Sequence, residues 1–339
     1  MSNSQILDSL LNGNDLAEQQ AYELMQQFAA GDLDTAFAGA LLAGLRAKGE
    51  TADEIRGFAR AMRELAIHPD IPDGAPTVDT VGTGGDGSGS LNLSTGTGLL
   101  AAACGSRVVK HGNRSVSSKS GSADMLECLG MPLPLHEKEA VACLEDTSFT
   151  FLFAPAYHPA MKAVVPVRGA LGVRTVFNIL GPLTNPASTP YQLIGAFSRD
   201  MAKLMADALA GLPIERAFVV HGEPGWDEAT PAGEFWLYDV TPGNVVETKR
   251  TPEDYGLGRC APDDLAGGDA EHNARELVRV FTGEEKGAHR DALLMGTSLV
   301  LEVQGVVATP QAGVALAAAA IDDGRAEKFL AGLREHFED

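Results

Sequence analysis

The sequence predicts an α/β protein with an N-terminal helical bundle domain and a larger α/β domain that contains a mainly parallel sheet. Residues 1–70 show helical periodicity only, in several short amphipathic segments. From residue 71 onward, apolar strand-like segments alternate with helical segments, which is typical of βαβ units. A chain of 339 residues is long enough for two domains that share one site.

Capping signals divide the N-terminal region into helices. Asp34 begins one predicted helix and Gly49 ends it, while Thr51 with Glu54 predicts a capping box for the next helix. Nothing in these helices is chemically unusual, so we expect them to serve as scaffold or as an oligomer surface. The proline-rich stretch 68–76, HPDIPDGAP, is expected to link them to the α/β part.

Residues 79–130 contain the pattern that most strongly indicates a binding or catalytic site. A strand ending at Val81 is followed by the glycine-dense loop 82–87 and then by an apolar helix that opens near Asn92. Glycines allow a close backbone approach, and the free amides of a helix N-terminus favour an anion such as phosphate. The loop lacks the Walker lysine, and Asp86 among its glycines departs from the dinucleotide fingerprint. A carboxylate there is expected to accept a hydrogen bond from a sugar or to position a metal ion.

The next strand adds positive charge and hydroxyl groups. Residues 107–109 are predicted to end a short strand, so that Lys110, His111, Asn113 and Arg114 lie in the loop beyond it. The carboxyl ends of neighbouring strands face one site in open α/β sheets. Hydroxyl donors suited to phosphate oxygens follow at Ser115, Ser117, Ser118, Ser120 and Ser122.

Later segments add further candidates. The unbroken apolar run TFLFAP, from residue 150, predicts a strand buried on both faces, and His158 after it is expected to be a capping or packing residue. Asp227 and Glu228 follow the strand RAFVVHG; on a loop they are usually solvated, but facing a diphosphate they are suited to Mg²⁺. The segments EFWLYDV and NVVETKR, joined by TPGN, predict a hairpin, and the chain beyond Glu271 predicts helices.

Composition excludes several classes of function. Twenty-six basic against 46 acidic residues give a net charge of −20, which disfavours a nucleic-acid partner. The four cysteines show no CxxC spacing, so we expect free thiols in a reducing cytoplasm. The N-terminus has no export signal, and no apolar run is long enough to span a membrane.

Four motifs together resemble the anthranilate phosphoribosyltransferase family. They are GTGGDG, the NxST pattern from Asn92 to Thr95, KHGNRSVSSKSGSAD, and VPVRGALGVRTVFNILGPLTNP. The resemblance runs from about residue 5 to the C-terminus and implies a fold like that of nucleoside phosphorylases and class II phosphoribosyltransferases. It also implies a helical domain of residues 1–70 joined by a returning segment, about 163–188, and an α/β domain of 71–162 and 189–339.

The resemblance implies roles for individual residues. Lys110 and His111 would be catalytic, and Arg168, with Gly82 and Asn113, would bind anthranilate, because arginine grips a planar carboxylate with two hydrogen bonds. Arg174 would have a structural role near the FNILGPLTNP turn. Phosphoribosyl pyrophosphate would be bound by Gly82, Thr83, Gly85, Asp86, Ser90, Asn92, Ser94, Thr95, Lys110, Asn113, Arg114, Ser118 and Ser122. Ser94, Asp227 and Glu228 would hold Mg²⁺.

The implied reaction is transfer of the 5-phosphoribosyl group to the amine of anthranilate in tryptophan biosynthesis, with release of pyrophosphate. Either His111 or a water molecule would remove the proton from the product ammonium. A homodimer through the N-terminal helices is also implied. Two other interpretations are a pyrimidine nucleoside phosphorylase-like enzyme, which takes up inorganic phosphate, and a non-catalytic relative that binds nucleic acid.

The sequence departs from the family pattern at two places. Met295 and Gly296 stand where an Asn-Ala pair is usual, and Trp226 lies in an atypical loop just before Asp227. Neither change falls on a predicted site residue, but Trp226 is expected to affect the approach to the metal.

Overall fold

A seven-stranded sheet forms the centre of the α/β part of this computed structural model, which describes residues 2–115 and 119–338. The strands are β1 Thr77–Gly82, β2 Arg107–Gly112, β3 Phe149–Phe153, β4 Tyr191–Gly195, β5 Arg216–Gly222, β6 Phe235–Thr241 and β7 Asn244–Arg250. Their order in the sheet is β3-β2-β1-β4-β5-β6-β7; the first five are parallel, and β6 and β7 add an antiparallel hairpin. The mainly parallel sheet and the hairpin are therefore confirmed.

Helices form the N-terminal bundle and cover the sheet. The bundle contains α1 Asn3–Leu11, α2 Glu18–Ala30, α3 Thr35–Lys48 and α4 Ala52–Glu64. The other helices are α5 Leu93–Ala103, α6 Ser122–Cys128, α7 Glu137–Thr147, α8 Ala154–Tyr157, α9 Val165–Leu171, α10 Phe177–Leu180, α11 Arg199–Leu209, α12 Ala270–Phe281, α13 Ala288–Val303, α14 Pro310–Asp322 and α15 Arg325–Glu335. Short 3₁₀ turns span Pro159–Ala163, Gly181–Leu183, Pro252–Tyr255 and Pro262–Leu265. Among the residues described, no helix is both long and apolar enough to cross a bilayer.

The predicted caps are present in the bundle. The Asp34 side chain accepts hydrogen bonds from the first amides of α3, and Thr51 and Glu54 form the capping box of α4. Glu54 is fully buried and also accepts from the Leu16 amide at 2.8 Å and from Lys48 Nζ at 3.0 Å. These bonds satisfy amides that helix ends leave free, and they join three parts of the bundle.

Two apolar cores lie on opposite faces of the sheet. One joins the bundle, α9 to α11 and the inner faces of β4 to β6; the other joins α5 to α7 and α12 to α15. Val167 and Phe177 belong to the first core, so this part of the chain packs with the N-terminal helices. The domain boundaries remain predictions, because this core also includes strand residues such as Ile194.

Strand β3 is an edge strand, yet its apolar side chains are buried. Phe149, Phe151 and Leu152 are fully buried, as the apolar run predicts for a strand covered on both faces. Helix α7 and helix α5 pack against this strand. An edge strand can therefore be buried on both faces when helices pack against it, and it does not need a central position in the sheet.

Candidate active site

The loop after β1 is built from glycine residues in the left-handed region. Gly84, Gly85, Gly87 and Gly89 have φ between +60° and +74°, a region that other residues rarely adopt. All four are exposed, and a Cβ atom at any of them would meet nothing within 4 Å. The glycines are therefore needed for backbone conformation, and the space beside the loop is open to a ligand.

Asp227 lies against this loop. Its Oδ2 accepts the Gly84 amide at 2.6 Å, and its own amide donates to Asp86 Oδ2 at 3.2 Å. A Cβ on Gly82 would lie 2.4 Å from Asp227 Oδ2, so only glycine allows this approach. Asp86 also accepts the amide and hydroxyl of Ser88, each at 3.1 Å, and thus shapes the loop.

Glu228 and Lys110 meet at the start of α5. Glu228 Oε1 accepts the Ser94 amide at 3.1 Å, and Lys110 Nζ donates to Ser94 Oγ at 3.3 Å and to the Thr80 carbonyl. The glycine loop, the lysine and the acidic pair, which are far apart in sequence, therefore border one site.

Carboxylates outnumber cations around this site. Burial, and then the charge of Asp86, raises the pKa of Asp227 to about 7. Burial and then the charge of Asp227 raise the pKa of Glu228 well above its ordinary value. Burial lowers the pKa of Lys110, which faces Asp79 as well as the acidic pair. Such a group favours an additional cation, because a cation restores the charged form of crowded carboxylates.

The donor set fits Mg²⁺. Two carboxylates and a serine hydroxyl, from Asp227, Glu228 and Ser94, leave coordination positions for phosphate oxygens and water, the pattern that Mg²⁺ prefers. Within the described part of the chain, no three or more His, Cys, Asp or Glu residues form a cluster that could hold a metal by themselves. A ligand would have to complete the coordination.

The predicted loop position of Lys110 and His111 is wrong. Both lie within β2 and are at most 2% exposed, because the strand extends to Gly112. His111 Nδ1 lies 3.2 Å from the Gly181 carbonyl oxygen, and its ring packs 5.0 Å from that of His158. Burial lowers the pKa of His111 to about 3, so the ring is neutral at pH 7.

Several predicted ligands of phosphoribosyl pyrophosphate have protein partners. Arg114 forms ion pairs with Glu127 at 2.5 Å and with Asp124 at 3.1 Å, and Thr83 Oγ1 accepts the Phe197 amide at 3.1 Å. Thr95 is fully buried. Asn92 is bonded to Ser120, Ser90 forms a bridge with Ala266, and Ser122 begins α6. Ser117 and Ser118 lie outside the described residues.

Arg168 has the surroundings of a carboxylate-binding residue. It lies on α9, partly buried, with its guanidinium carbon 5.7 Å from the centre of the Phe177 ring. Within residues 2–115 and 119–338, its side chain has no hydrogen bond or ion pair, and burial lowers its pKa. Asn113 is exposed and accepts the Arg114 amide at 2.7 Å. Arg174 stacks on Phe197 at 4.3 Å.

Sequence reasoning missed Gly195 and Asn273. A Cβ on Gly195 would lie 1.5 Å from the Asp227 carbonyl oxygen, so this glycine at the end of β4 makes room for the acidic loop. In the sequence, the one indication of this role is that Gly195 lies near the end of a predicted strand. Asn273 Nδ2 donates to Asn92 Oδ1 at 2.8 Å, a contact between residues 181 positions apart that no local pattern reveals.

The two departures from the family pattern are interior residues. Trp226 is 7% exposed and belongs to the apolar core, so its indole packs inside the protein and does not stand over the site. Gly296 lies in α13 against α5, where a Cβ would be 2.3 Å from Thr97 Oγ1. Helix packing therefore explains the glycine at this position.

Comparisons with known proteins agree with this architecture. Residues 4–66 match the family model described as "Glycosyl transferase family, helical bundle domain", and residues 74–327 match "Glycosyl transferase family, a/b domain". The anthranilate phosphoribosyltransferase of Rubrobacter xylanophilus is 45% identical over 322 residues, 94% of each chain.

Solved structures give the same relationship. The anthranilate phosphoribosyltransferase of Thermus thermophilus is 42% identical, with a TM-score of 0.92 over 98% of this chain and 99% of that one. The Saccharomyces cerevisiae enzyme in complex with PRPP and Mg is 27% identical, with a TM-score of 0.84 over 99% of this chain and 93% of that one. The chain therefore belongs to the anthranilate phosphoribosyltransferase family of glycosyl transferases.

Proposed function

We propose that the chain transfers the 5-phosphoribosyl group of phosphoribosyl pyrophosphate to the amine of anthranilate, in tryptophan biosynthesis. The bond between ribose C1 and a pyrophosphate oxygen breaks, the bond between the amine nitrogen and C1 forms, and pyrophosphate leaves. The observation that carries the proposal is the convergence of the glycine loop, Lys110 and the pair Asp227 and Glu228. This combination suits a sugar diphosphate better than a single phosphate.

On the donor side, backbone amides and one lysine face the diphosphate. The open amides of the loop around Gly85 bind phosphate oxygens next to the start of α5. Lys110 Nζ donates to the Ser94 hydroxyl and to the Thr80 carbonyl, so its charge lies at the start of α5 and at the end of β1. Preorganised donors of this kind stabilise a departing anion without reorganisation during the reaction.

Mg²⁺ is the cofactor in this proposal, held by Asp227, Glu228 and Ser94. Bound there with diphosphate oxygens, it would neutralise charge on the leaving group. The supporting observation is the excess of buried carboxylates over cations at the site. A yeast relative has been crystallised in complex with PRPP and Mg.

On the acceptor side, Arg168 holds the anthranilate carboxylate. Its partly buried guanidinium has no carboxylate partner in the described structure, and a planar carboxylate satisfies it with two hydrogen bonds. Gly82 and Asn113 complete this side of the site. The aryl amine is neutral at pH 7 and needs no base before it attacks C1.

The product ammonium must lose one proton, and we assign that proton to water. His111 is fully enclosed and its pKa is lowered to about 3, so it is a poor proton acceptor at neutral pH. In this proposal, water and not His111 is the base that accepts the proton. The remaining role of His111 is to hold the turn Gly181–Leu183 through the Gly181 carbonyl.

The decisive experiment measures pyrophosphate release with phosphoribosyl pyrophosphate, anthranilate and Mg²⁺. The wild type should form one pyrophosphate per anthranilate consumed, and Asp227→Asn with Glu228→Gln should lose at least about 100-fold in turnover, an order expected for lost transition-state charge stabilisation. The control is Glu145→Gln with Asp146→Asn, an exposed acidic pair on α7. Full activity of the first double variant, or uptake of inorganic phosphate by the wild type with a nucleoside, would contradict the proposal.

We also propose a homodimer and a cytoplasmic location. An open groove of about 690 Å³ between α3 and α9 is lined mainly by apolar residues, including Ala36, Ala40, Ala43 and Leu171. An apolar surface of this kind on the bundle suits a second copy of the chain. All four cysteines lie in the described residues and are free thiols, which suits a reducing compartment.

A further inference from the structure

Asn273 is a buried polar residue on α12 that the proposed mechanism does not use. It is 1% exposed, and both ends of its amide are hydrogen bonded. Its Nδ2 donates to Asn92 Oδ1 at 2.8 Å, and its Oδ1 accepts the Gly268 amide at 2.7 Å. One side chain therefore joins the residue before α5 to the chain that precedes α12.

Asn92 carries this connection to the segment after β2. Its Nδ2 donates to the Ser120 carbonyl at 3.1 Å, and its Oδ1 accepts the Ser120 hydroxyl at 2.9 Å. Because Oδ1 accepts from both Asn273 and Ser120, the amide has one orientation that satisfies all three bonds. Asn273 thus fixes the rotamer of Asn92 at the entrance to α5.

The chain before α12 also lies along the second half of the glycine loop. The Leu91 amide donates to the Leu265 carbonyl at 3.2 Å, and the Gly267 amide donates to the Gly89 carbonyl at 2.8 Å. Between these bonds, Ser90 and Ala266 form an antiparallel bridge. A Cβ on Gly267 would lie 2.5 Å from the Ser90 carbonyl oxygen, so this contact requires glycine.

We propose that residues 265–268 and Asn273 form a clasp that positions the sugar-diphosphate donor site, with Asn273 as a positioning residue acting through Asn92 and Gly268. The clasp bonds to Gly89 and Leu91 at the end of the loop, whereas Asp227 bonds to Gly84 and Asp86 nearer its start. The inference rests on the proposed function, because it concerns how the same loop binds its diphosphate.

Loop entropy gives the physical reason for a clasp. A loop with four glycines in left-handed conformations has many alternative states, and ordering it on binding would weaken donor affinity. Fixing one end of the loop beforehand removes part of that cost. The two hydrogen bonds of Asn273 reach only the donor side, so its effect should be specific to phosphoribosyl pyrophosphate.

The substitution Asn273→Asp distinguishes the two hydrogen bonds that the Asn273 side chain makes with Asn92 and Gly268. The aspartate still accepts the Gly268 amide, but it places an acceptor against Asn92 Oδ1 where the wild type has a donor. Loss of one buried hydrogen bond corresponds to about a tenfold effect. We expect the KM and the calorimetric Kd for phosphoribosyl pyrophosphate to rise about tenfold, while the KM for anthranilate changes less than about twofold.

Three more substitutions complete the test. Gly267→Ala disturbs the clasp at its other end and should raise the same donor constants, which decides the matter if Asn273→Asp fails to fold. Arg275→Ala, a residue on α12 whose side chain is 65% exposed, is the control and should match the wild type. In an Asn92→Ala background, Asn273→Asp should add little, because its target is already absent.

The outcomes separate the inference from the proposed function. Wild-type donor constants in both Asn273→Asp and Gly267→Ala overturn the clasp, and so does an equal rise in the constants for donor and acceptor. If the wild type neither binds phosphoribosyl pyrophosphate nor releases pyrophosphate, the proposed function fails, and the clasp as a donor-positioning device fails with it.

Discussion

In the proposed reaction, acceptor specificity depends most directly on Arg168. Its guanidinium is partly buried and stacks on Phe177, with no ion pair among the residues that the structure describes. Such a cation is costly to bury unless a ligand supplies the opposite charge. The carboxylate of anthranilate is the group that the proposed reaction brings there.

We expect Arg168→Ala to raise the KM for anthranilate about 100-fold, because a lost charge-assisted pair costs about 2 to 3 kcal/mol. The KM for phosphoribosyl pyrophosphate should change less than about threefold. Arg168→Lys should recover only part of the loss, since an ammonium cannot make the two-pronged contact. Equal increases in both Michaelis constants, measured in steady-state kinetics, would refute the carboxylate contact.

The burial of His158 leads to a separate prediction about how the stability of the protein depends on pH. Burial lowers its pKa to about 4, while His111 packs against its ring and His68 adds repulsion. A base whose folded-state pKa lies below the unfolded value of about 6.5 binds protons mainly in the unfolded state. Its contribution to stability is therefore present above about pH 6.5 and is lost as the pH falls toward 4.

We expect urea denaturation of the wild type to show about 2 kcal/mol less stability at about pH 5 than at about pH 7.5 from His158 alone. His158→Gln should have a shallower dependence over this range, because glutamine does not titrate. His136→Gln, at an exposed histidine, serves as the control. If His158→Gln follows the same pH curve as the wild type, the assignment is wrong.

At the scale of elements, strand ends decide the shape of the site. Gly82 ends β1, Gly195 ends β4 and Gly222 ends β5, and residues 227–228 lie against all three. A side chain at any of these ends would occupy space that the loop fills. The acidic pair therefore reaches the glycine loop only because three neighbouring strands end in glycine.

We expect Gly195→Ala to remove most activity, because the new Cβ would lie 1.5 Å from the Asp227 carbonyl oxygen and the acidic loop would have to move. The measurements are turnover and its Mg²⁺ dependence, with circular dichroism to show that the fold persists. Gly332→Ala in α15 is the matched control: its Cβ would meet nothing within 4 Å, and helix propensity favours alanine. Wild-type Mg²⁺ dependence in Gly195→Ala would contradict this account.

Local signals predicted elements well, and long-range contacts less well. The caps at Asp34 and Thr51 follow from local hydrogen bonds, and the sequence shows them directly. The position at which β2 ends does not follow from local signals. Lys110 resembles a loop residue in the sequence, and its buried hydrogen-bond partners are seen only in the structure. Arg114 stays a predicted phosphate ligand; its ion pair with Glu127 was not predictable, because it depends on where α6 packs.

For the whole molecule, the negative net charge opposes the binding of anionic substrates. A chain of net charge −20 repels a diphosphate and an anthranilate anion at long range. In the proposed function, binding therefore depends on short-range contacts with the loop amides, Lys110, Arg168 and Mg²⁺. The same charge disfavours a nucleic-acid partner, whose affinity comes from phosphate neutralisation.

The assembly state gives the last prediction. The groove between α3 and α9 exposes apolar surface, and α9 also carries Arg168, so dimer contacts would stabilise the helix that we propose binds the acceptor. We expect Ala43→Glu, at an exposed groove position, to halve the molar mass measured by sedimentation equilibrium. It should also raise the KM for anthranilate more than that for phosphoribosyl pyrophosphate, because α9 loses support.

Ala319→Glu in α14 makes the same exchange at another exposed helical alanine and should leave both mass and kinetics unchanged. If the wild type sediments as a monomer, or if Ala43→Glu remains a dimer, the groove does not bind a second copy. Because Ala43 is already exposed in the single chain, its replacement should not unfold the bundle, and a change in mass can be assigned to the interface.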